Sequence, residues 1–414
     1  MSDGEGFVAR LLATVRGEPA RALVRLRLHI RKQRPFERGF NSERCERDAS
    51  AMQAALRQPV GPLAVVHPLA ALAALDRHLA EEVDQGFEPK PRRFALPAGE
   101  GGGEYWLVPR RPGWSSRLST QPGHVEYWMR HYHVVPAAHR DIEVRLRQAP
   151  PHIWEALAGG VTPFAAGGFL DGATPLWIST SPYRCRSLAN AEKRREPVEA
   201  LLDEAARQGA VIVVLPELTV DPDVRRWVRA WLRDREHGIA LVAAGSFHEP
   251  RSVEDDGAGQ GVAYLLDAWG ETEMTHIKLR PMRAMPKGER AEEDLEGGDI
   301  VELFLVWFGL LGLAICLDFC DEADATVADL WKQIGPALML VPSMGDGSTN
   351  SAHRRRAREL ARQHSTVTVV ASQHPSEARA FGLCLGPGVG APTSQIKKRI
   401  EGPVLFERIH WVLE

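Results

Sequence analysis

The second half of the sequence predicts an α/β fold, and three observations carry that expectation. From Leu176 onward, short apolar runs such as V-I-V-V-L (Val211–Leu215) alternate with amphipathic ones such as V-E-A-L-L-D-E-A-A-R-Q. Strands of period two separated by segments of period 3.6 form a sheet layered by helices. The run Leu303–Leu317 is apolar throughout and broken by glycines. It is too short to span a bilayer comfortably, so it reads as two adjoining strands buried on both faces. The composition, 44% hydrophobic and 25% charged, is ordinary for a globular chain with ample core.

A length of 414 residues suits two domains. The stretch from Ala149 to Pro175 is dense in proline and glycine, which places the expected boundary near residue 170. Residues 1–170 then form a smaller α+β amino-terminal domain, and residues 171–414 the α/β domain. A net charge of −3 argues against a protein that binds nucleic acid over its whole surface. Five cysteines, at 45, 185, 316, 320 and 384, are too scattered for a disulfide framework and suit a reducing cytoplasm. The start, M-S-D-G-E-G, lacks the basic and apolar regions of a secretory signal, so no membrane association is expected.

The elements follow in order. Val24–Arg31, V-R-L-R-L-H-I-R, alternates apolar and basic residues as a half-buried strand does; its basic edge either meets a partner or simply faces solvent. Leu63–Val83 is rich in alanine and leucine and reads as a helix. Pro91–Gly113 is broken by P-R-R, G-E-G-G-G and R-R-P-G, the marks of a linker. His131, His133 and His139 alternate as metal ligands on a strand can, but no cysteine or carboxylate completes a set, and packing histidines are expected. Beyond the boundary, Pro175–Ser181 is a short strand. A helix starts near Glu196–Pro197, where proline's missing N–H does no harm, and stops at Gly209. Val211–Leu215, Ile239–Ser246, Gly261–Trp269 and Leu311–Ile315 are strands, and Arg225–His237 and Ser351–His364 are helices. The second of these helices is arginine-rich, either to hold an anionic group or to face water.

Three reactive residue types stand directly after apolar runs. Glu217 follows V-I-V-V-L-P, Lys278 follows Y-L-L-D-A-W-G-E-T-E-M-T-H-I, and Cys316 follows L-L-G-L-A-I. The carboxyl ends of strands are where open α/β sheets place their chemistry. The order of these residues, with A-A-R-Q-G-A-V-I-V-V-L-P-E (205–217), H-I-K-L (276–279), F-G-L-L-G-L-A-I-C-L-D (308–318) and V-T-V-V-A-S-Q (367–373), resembles the nitrilase superfamily of carbon–nitrogen hydrolases. The resemblance covers residues 174–414 and implies a four-layer αββα sandwich, often paired into a homodimer, with no metal or organic cofactor. It also implies a Glu-Lys-Cys triad of Glu217, Lys278 and Cys316, acting on a small amide-type substrate.

A thiol with an ordinary pKa of about 8.5 is mostly protonated at neutral pH and needs a base or a cation beside it. Glu217 would take the thiol proton, Lys278 would supply charge where the carbonyl oxygen turns negative, and the Leu317 N–H would complete the oxyanion site. Lys287 competes with Lys278 and Cys320 with Cys316, but the I-C-x-D motif is met only at Cys316. The supporting glutamate is expected at Glu289, with Glu292, Glu293 and Glu296 as rivals. Asp318, Phe319, Ser343 and Met344 would line the substrate pocket. Leu317 stands where an aromatic is common in the family, and the helix 351–364 lacks a clean R-A-x-E-N motif, so the resemblance is to a divergent branch. Acyl transfer to an amine shares the same thioester. A regulatory or effector protein, docking a partner or nucleic acid through residues 1–170 with the second domain active only in that assembly, is the second class of function the sequence suggests.

Overall fold

The computed structural model describes residues 19–32, 42–57, 67–83, 91–96, 103–110, 128–158, 160–168, 175–177, 184–188, 191–250, 259–282, 292–321, 324–345, 347–373, 380–386 and 404–410. Two compact units divide between Ala138 and His139. The expected boundary near 170 therefore lies about thirty residues too late. The proline- and glycine-rich stretch is no linker: it contains the helix Pro151–Leu157 and the strand Val161–Gly167, both built into the second unit.

The first unit contains helices α1 (Pro19–Lys32), α2 (Ser42–Leu56) and α3 (Pro68–Val83) and an antiparallel sheet of β1 (Arg92–Leu96), β2 (Gly103–Pro109) and β3 (Tyr132–Pro136). Val24–Arg31 lies inside α1 and is not a strand. Its apolar positions match a period of two, but the pattern starts earlier, and the buried residues Leu23, Leu26, Arg27 and Ile30 keep helical spacing. The expected linker 91–113 holds β1 and β2, whose registered pairs run from Arg92↔Leu107 to Leu96↔Gly103. Asp76 of α3 is fully buried and accepts backbone N–H bonds from Arg130, His131 and Tyr132 at 2.7–2.9 Å. Burial pushes its carboxyl up to about 7 against these donors.

The second unit is a four-layer sandwich. Among the described residues, one sheet has the order β12-β11-β10-β9-β6-β18 and the other β17-β16-β15-β14-β13-β5-β4. In chain order the strands are β4 (Ala138–His139), β5 (Ile142–Gln148), β6 (Val161–Gly167), β9 (Ile212–Val214), β10 (Leu241–Glu249), β11 (Gln260–Asp267), β12 (Thr272–Ile277), β13 (Ile300–Val306), β14 (Gly309–Leu313), β15 (Leu338–Met344), β16 (Val367–Gln373), β17 (Ala380–Leu385) and β18 (Val404–His410). A two-stranded ribbon, β7 (Pro175–Trp177) with β8 (Cys185–Leu188), stands apart from both sheets. The sheets face each other: Phe164, Ile212, Val214, Leu241 and Leu265 share one core with Phe304, Leu311, Leu313, Leu340 and Val369. The opposite face of the six-stranded sheet, including Val213, Leu215 and Val242, is covered by Val198, Leu201, Val224 and Val228. These come from α5 (Arg195–Arg207) and α6 (Pro222–Asp234). Helices α8 (Ala325–Ile334) and α9 (Gly347–His364) cover the seven-stranded sheet. Gly312 leaves room for this layer, since a β-carbon there would lie 3.3 Å from the Trp331 ring.

Local chemistry fixes the helix ends. Asp221 caps α6 by accepting from the N–H groups of Asp223 and Val224, with Pro222 in the first turn, so the helix begins three residues before the expected Arg225. Asp324 caps α8 through the Thr326 N–H, and Gly335 ends it at φ 61°, a left-handed turn that glycine adopts without strain. No helix among the described residues is long and apolar enough to cross a membrane.

Candidate active site

The end of β15 is the template of the site. Its neighbours β14 and β16 run parallel to it, so the strands deliver their carboxyl ends to one rim. There, the Cys316 N–H donates to the Pro342 carbonyl at 2.9 Å and the Glu217 N–H to the Ser343 carbonyl at 3.2 Å. The Met344 N–H donates to Glu217 Oε2 at 3.0 Å, and its carbonyl accepts from Cys316 Sγ at 3.6 Å. Three residues of one strand therefore tie the thiol and the carboxylate to a common frame.

Cys316 occupies the turn from β14 into the short helix α7 (Leu317–Cys320), at φ 46° and ψ −105°. A non-glycine residue in that region is strained, and such strain collects at functional turns. Glu217 sits in a second turn, followed by Leu218 at φ 54°. That turn rests on Gly245 of β10, where a β-carbon would come within 2.3 Å of the Pro216 carbonyl and φ is 61°. Only glycine allows the two backbones to approach so closely.

Lys278, directly after β12, is 3% exposed and bridges two carboxylates. Its Nζ lies 3.1 Å from Glu217 Oε1 and 3.0 Å from Glu293 Oε1. Burial alone would lower the ammonium's pKa, but Glu217 and Glu293 outweigh it and hold it well above the ordinary lysine value. The two carboxylates are pushed apart. Burial raises Glu217 despite the facing ammonium. Glu293 is also penalised by burial, yet Lys278 and His248 draw it down to about 2. Two titratable groups with divergent environments take different roles. Glu293 stays ionised and fixes the lysine, while Glu217 is suited to hold a proton in transit. Cys316 is 4% exposed; burial and then Glu217 push its thiol well up, with Lys278 and Ser343 opposing.

The supporting glutamate in the structure is thus Glu293, one of the rivals. Glu289, like the competing Lys287, lies outside the described residues. Glu293 also accepts from the Met282 N–H, and His248 Nε2 stands 3.4 Å from its Oε1. The tautomer of His248 is set on the other side, where Nδ1 accepts from the Cys185 N–H at 2.9 Å.

Asp318 and Phe319, expected to line the substrate pocket, are both buried and engaged in contacts within the fold. Asp318 is fully buried and accepts from His276 Nε2 at 3.0 Å, the Leu279 N–H at 2.9 Å and the Arg280 N–H at 3.3 Å. It fastens the segment after Lys278 to the helix after Cys316, a structural duty for the motif aspartate. Phe319 is fully buried and stacks on His353 with centroids 6.0 Å apart. Ser343 touches the sulfur itself: its hydroxyl donates to Cys316 Sγ at 3.3 Å. Met344 contributes its backbone, as described. Leu317 opens the four-residue helix α7, in which the Asp318 and Phe319 N–H groups donate to the Ile315 and Cys316 carbonyls.

Sequence reasoning missed His248, His276 and His353. The last had a legible signal, because His353, Arg356, Ala357 and Leu360 form one buried face of α9. Its exposed arginines, Arg355, Arg358 and Arg362, match the solvated reading of that helix. Of the alternating histidines, His133 and His139 are buried and His131 is exposed. Among the described residues, one metal-capable grouping occurs, His152, Asp267 and Glu273. It is engaged by ion pairing: His152 with Asp267 at 3.4 Å and Glu273 with Arg147 at 3.8 Å.

The sequence matches no family model and no curated relative. Solved structures similar to it include the NitFhit protein of C. elegans, 18% identical, covering 62% of each chain at a TM-score of 0.45. Another is Nit3 of Saccharomyces cerevisiae, described as a member of branch 10 of the nitrilase superfamily, 15% identical over 60% of this chain and 90% of that one, TM-score 0.44. A third is the amidase of Nesterenkonia sp. AN1, 18% identical over 60% of this chain and 89% of that one, TM-score 0.41. A mutant of that amidase carries the acetamide moiety of fluoroacetamide on its active-site cysteine. The chain is structurally similar to nitrilase-superfamily proteins. The four-layer sandwich that the sequence resemblance implied is present in the second unit, on the evidence of its own sheets and cores.

Proposed function

We propose that this protein is a thiol-dependent hydrolase of non-peptide carbon–nitrogen bonds, acting on a small amide. The observation that carries the reading is the buried contact of Lys278 with Glu217, held on the same strand end that holds Cys316. A thiol, a carboxylate of raised pKa and a fixed ammonium form the set that acyl transfer through sulfur requires.

Glu217 takes the proton of Cys316, and the sulfur attacks the substrate carbonyl carbon. The carbonyl oxygen, now negative, faces the Lys278 ammonium and the Leu317 N–H. Collapse of the adduct breaks the carbon–nitrogen bond, and the departing amine takes its proton from Glu217. A thioester remains on Cys316. Glu217 then removes a proton from water, hydroxide attacks the thioester, and the carboxylic acid leaves as the thiol regains the proton. Glu293 does not enter these transfers and keeps Lys278 charged and aimed.

Intact-mass measurement after exposure to a panel of amides, nitriles and acyl donors tests the scheme. The wild type is expected to gain an acyl group that maps to Cys316, and Cys316→Ala to gain none and turn over nothing. Turnover undiminished in Cys316→Ala rules the scheme out. Release of free acid against transfer to added amine separates hydrolysis from acyl transfer. The first unit has its own core, in which Leu23, Leu26, Leu72 and Leu75 are fully buried, and we assign it a docking role for a protein partner. Loss of a co-purifying partner on its removal is the expected result.

A further inference from the structure

Beside the nucleophile lies a chain of side-chain contacts that the hydrolytic scheme does not use. Ser343 Oγ is 3.3 Å from Cys316 Sγ and 2.8 Å from His353 Nε2. Ser343 and His353 are both completely buried. His353 comes from α9, in the helical layer over the seven-stranded sheet, and reaches β15 from beneath.

A serine hydroxyl has one proton to give and two lone pairs to receive with. With its proton directed at sulfur, it accepts from the histidine, so Nε2 carries the imidazole hydrogen. The far nitrogen agrees: His353 Nδ1 is buried and has no hydrogen-bond partner among the described residues. A buried N–H left without an acceptor is rarer in folded proteins than an under-satisfied acceptor, which favours the hydrogen on Nε2. Burial also lowers the His353 pKa to about 3, so the ring is neutral across the working range and acts as a donor through one fixed tautomer.

We propose that Ser343 and His353 form a second arm on the nucleophile, in which His353 Nε2–H donates to Ser343 Oγ and the Ser343 hydroxyl donates to the Cys316 sulfur, stabilising the thiolate. Ser343, which touches the reacting atom, is a catalytic residue; His353 acts through it and is a positioning residue. No proton is transferred along the arm. The imidazole keeps the hydroxyl hydrogen turned toward sulfur, and that hydrogen bond strengthens as the thiol ionises, because a bond to a charged acceptor is about twice as strong as a neutral one. Among the described residues, the other titratable groups facing the sulfur are Glu217 after β9, Lys278 after β12 and Cys320 on α7, and Cys320 also faces the imidazole, with Sγ 4.0 Å from Nε2. The proposal rests on Cys316 being the nucleophile, but its test needs no substrate.

The thiolate of Cys316 is titrated by ultraviolet absorbance in the full-length protein, taking the difference between each variant and the same variant carrying Cys316→Ala. The pH dependence of iodoacetamide labelling at Cys316 is followed in parallel by mass. Ser343→Ala is expected to move the midpoint upward and to cut the thiolate fraction at neutral pH roughly ten-fold, the size of one charge-assisted hydrogen bond. His353→Phe moves it in the same direction, and His353→Gln, whose amide can donate to Ser343, restores part of the loss. A structural role alone would lower the melting temperature and leave the titration in place. An unshifted midpoint in folded Ser343→Ala overturns the proposal, and equal midpoints in His353→Phe and His353→Gln remove His353 from it. Failure of the amide panel with a shifted midpoint would sink the hydrolase reading and leave this arm standing.

Discussion

At the scale of single residues, the site is decided by one ammonium shared between two carboxylates. Glu217→Gln preserves shape but cannot take the thiol proton, so acylation of Cys316 is expected to fall by about 10²–10⁴, read by stopped-time intact mass. Because Glu217 must be ionised to act and its carboxyl is raised, the acid limb of the wild-type rate profile should lie above the ordinary glutamate value of 4.5. A limb at or below that value contradicts the assignment. Glu293 has the opposite sign. Its folded pKa, about 2, is depressed below the unfolded 4.5, so its stabilisation is complete above the unfolded value and fades as pH falls toward 2. Glu293→Gln should cost about 1.5–3 kcal/mol at neutral pH and flatten that acid dependence, measured by denaturant midpoints from neutral to acid pH.

At the scale of elements, strand ends and turns place the reactive atoms, and glycine at 245 is the tightest constraint. Gly245→Ala puts a β-carbon against the Pro216 carbonyl in a left-handed conformation, and that conformation alone costs about 1–3 kcal/mol. The backbone that yields is the turn bearing Glu217. The expected outcome is a loss of Cys316 acylation larger than the loss of thermal stability explains, with circular dichroism unchanged. The substitution tests whether the β10 bulge between Ala243 and Ser246 exists to seat that turn.

For the whole molecule, the two units set where the chain can be cut. β5 pairs with β13 along six residues from Ile300↔Glu143, and β6 lies between β9 and β18. A chain beginning at residue 170 lacks both strands, which detaches β18 from one sheet and strips β5 and β4 from the edge of the other. It is expected to aggregate, whereas a chain beginning at residue 139 should fold cooperatively and keep the Cys316 titration. Soluble, cooperatively melting protein from the shorter version would overturn the assignment of 139–168 to the sandwich.

Strand and helix periods made the layered second unit legible, because a strand buried on both faces and a helix buried on one leave different spacings of apolar residues. The three reactive types were legible for a related reason: each follows an apolar run, although β12 before Lys278 is antiparallel to β11, and it and β9 lie in the sheet opposite to β14. By itself, the sequence placed Glu217, Lys278 and Cys316 each directly after an apolar run, and the family resemblance implied that they act together. It misread Val24–Arg31, where two of the apolar residues at alternate positions, Leu26 and Ile30, also fall on one helical face, and it took proline and glycine between 149 and 175 for a domain boundary. Only the tertiary structure decided which glutamate meets Lys278, that Asp318 is a fastening, and that His353 stands behind Ser343. Those contacts join residues 15 to 42 positions apart or cross from a helix to a sheet, and no local period encodes which side chain will meet another across a layer.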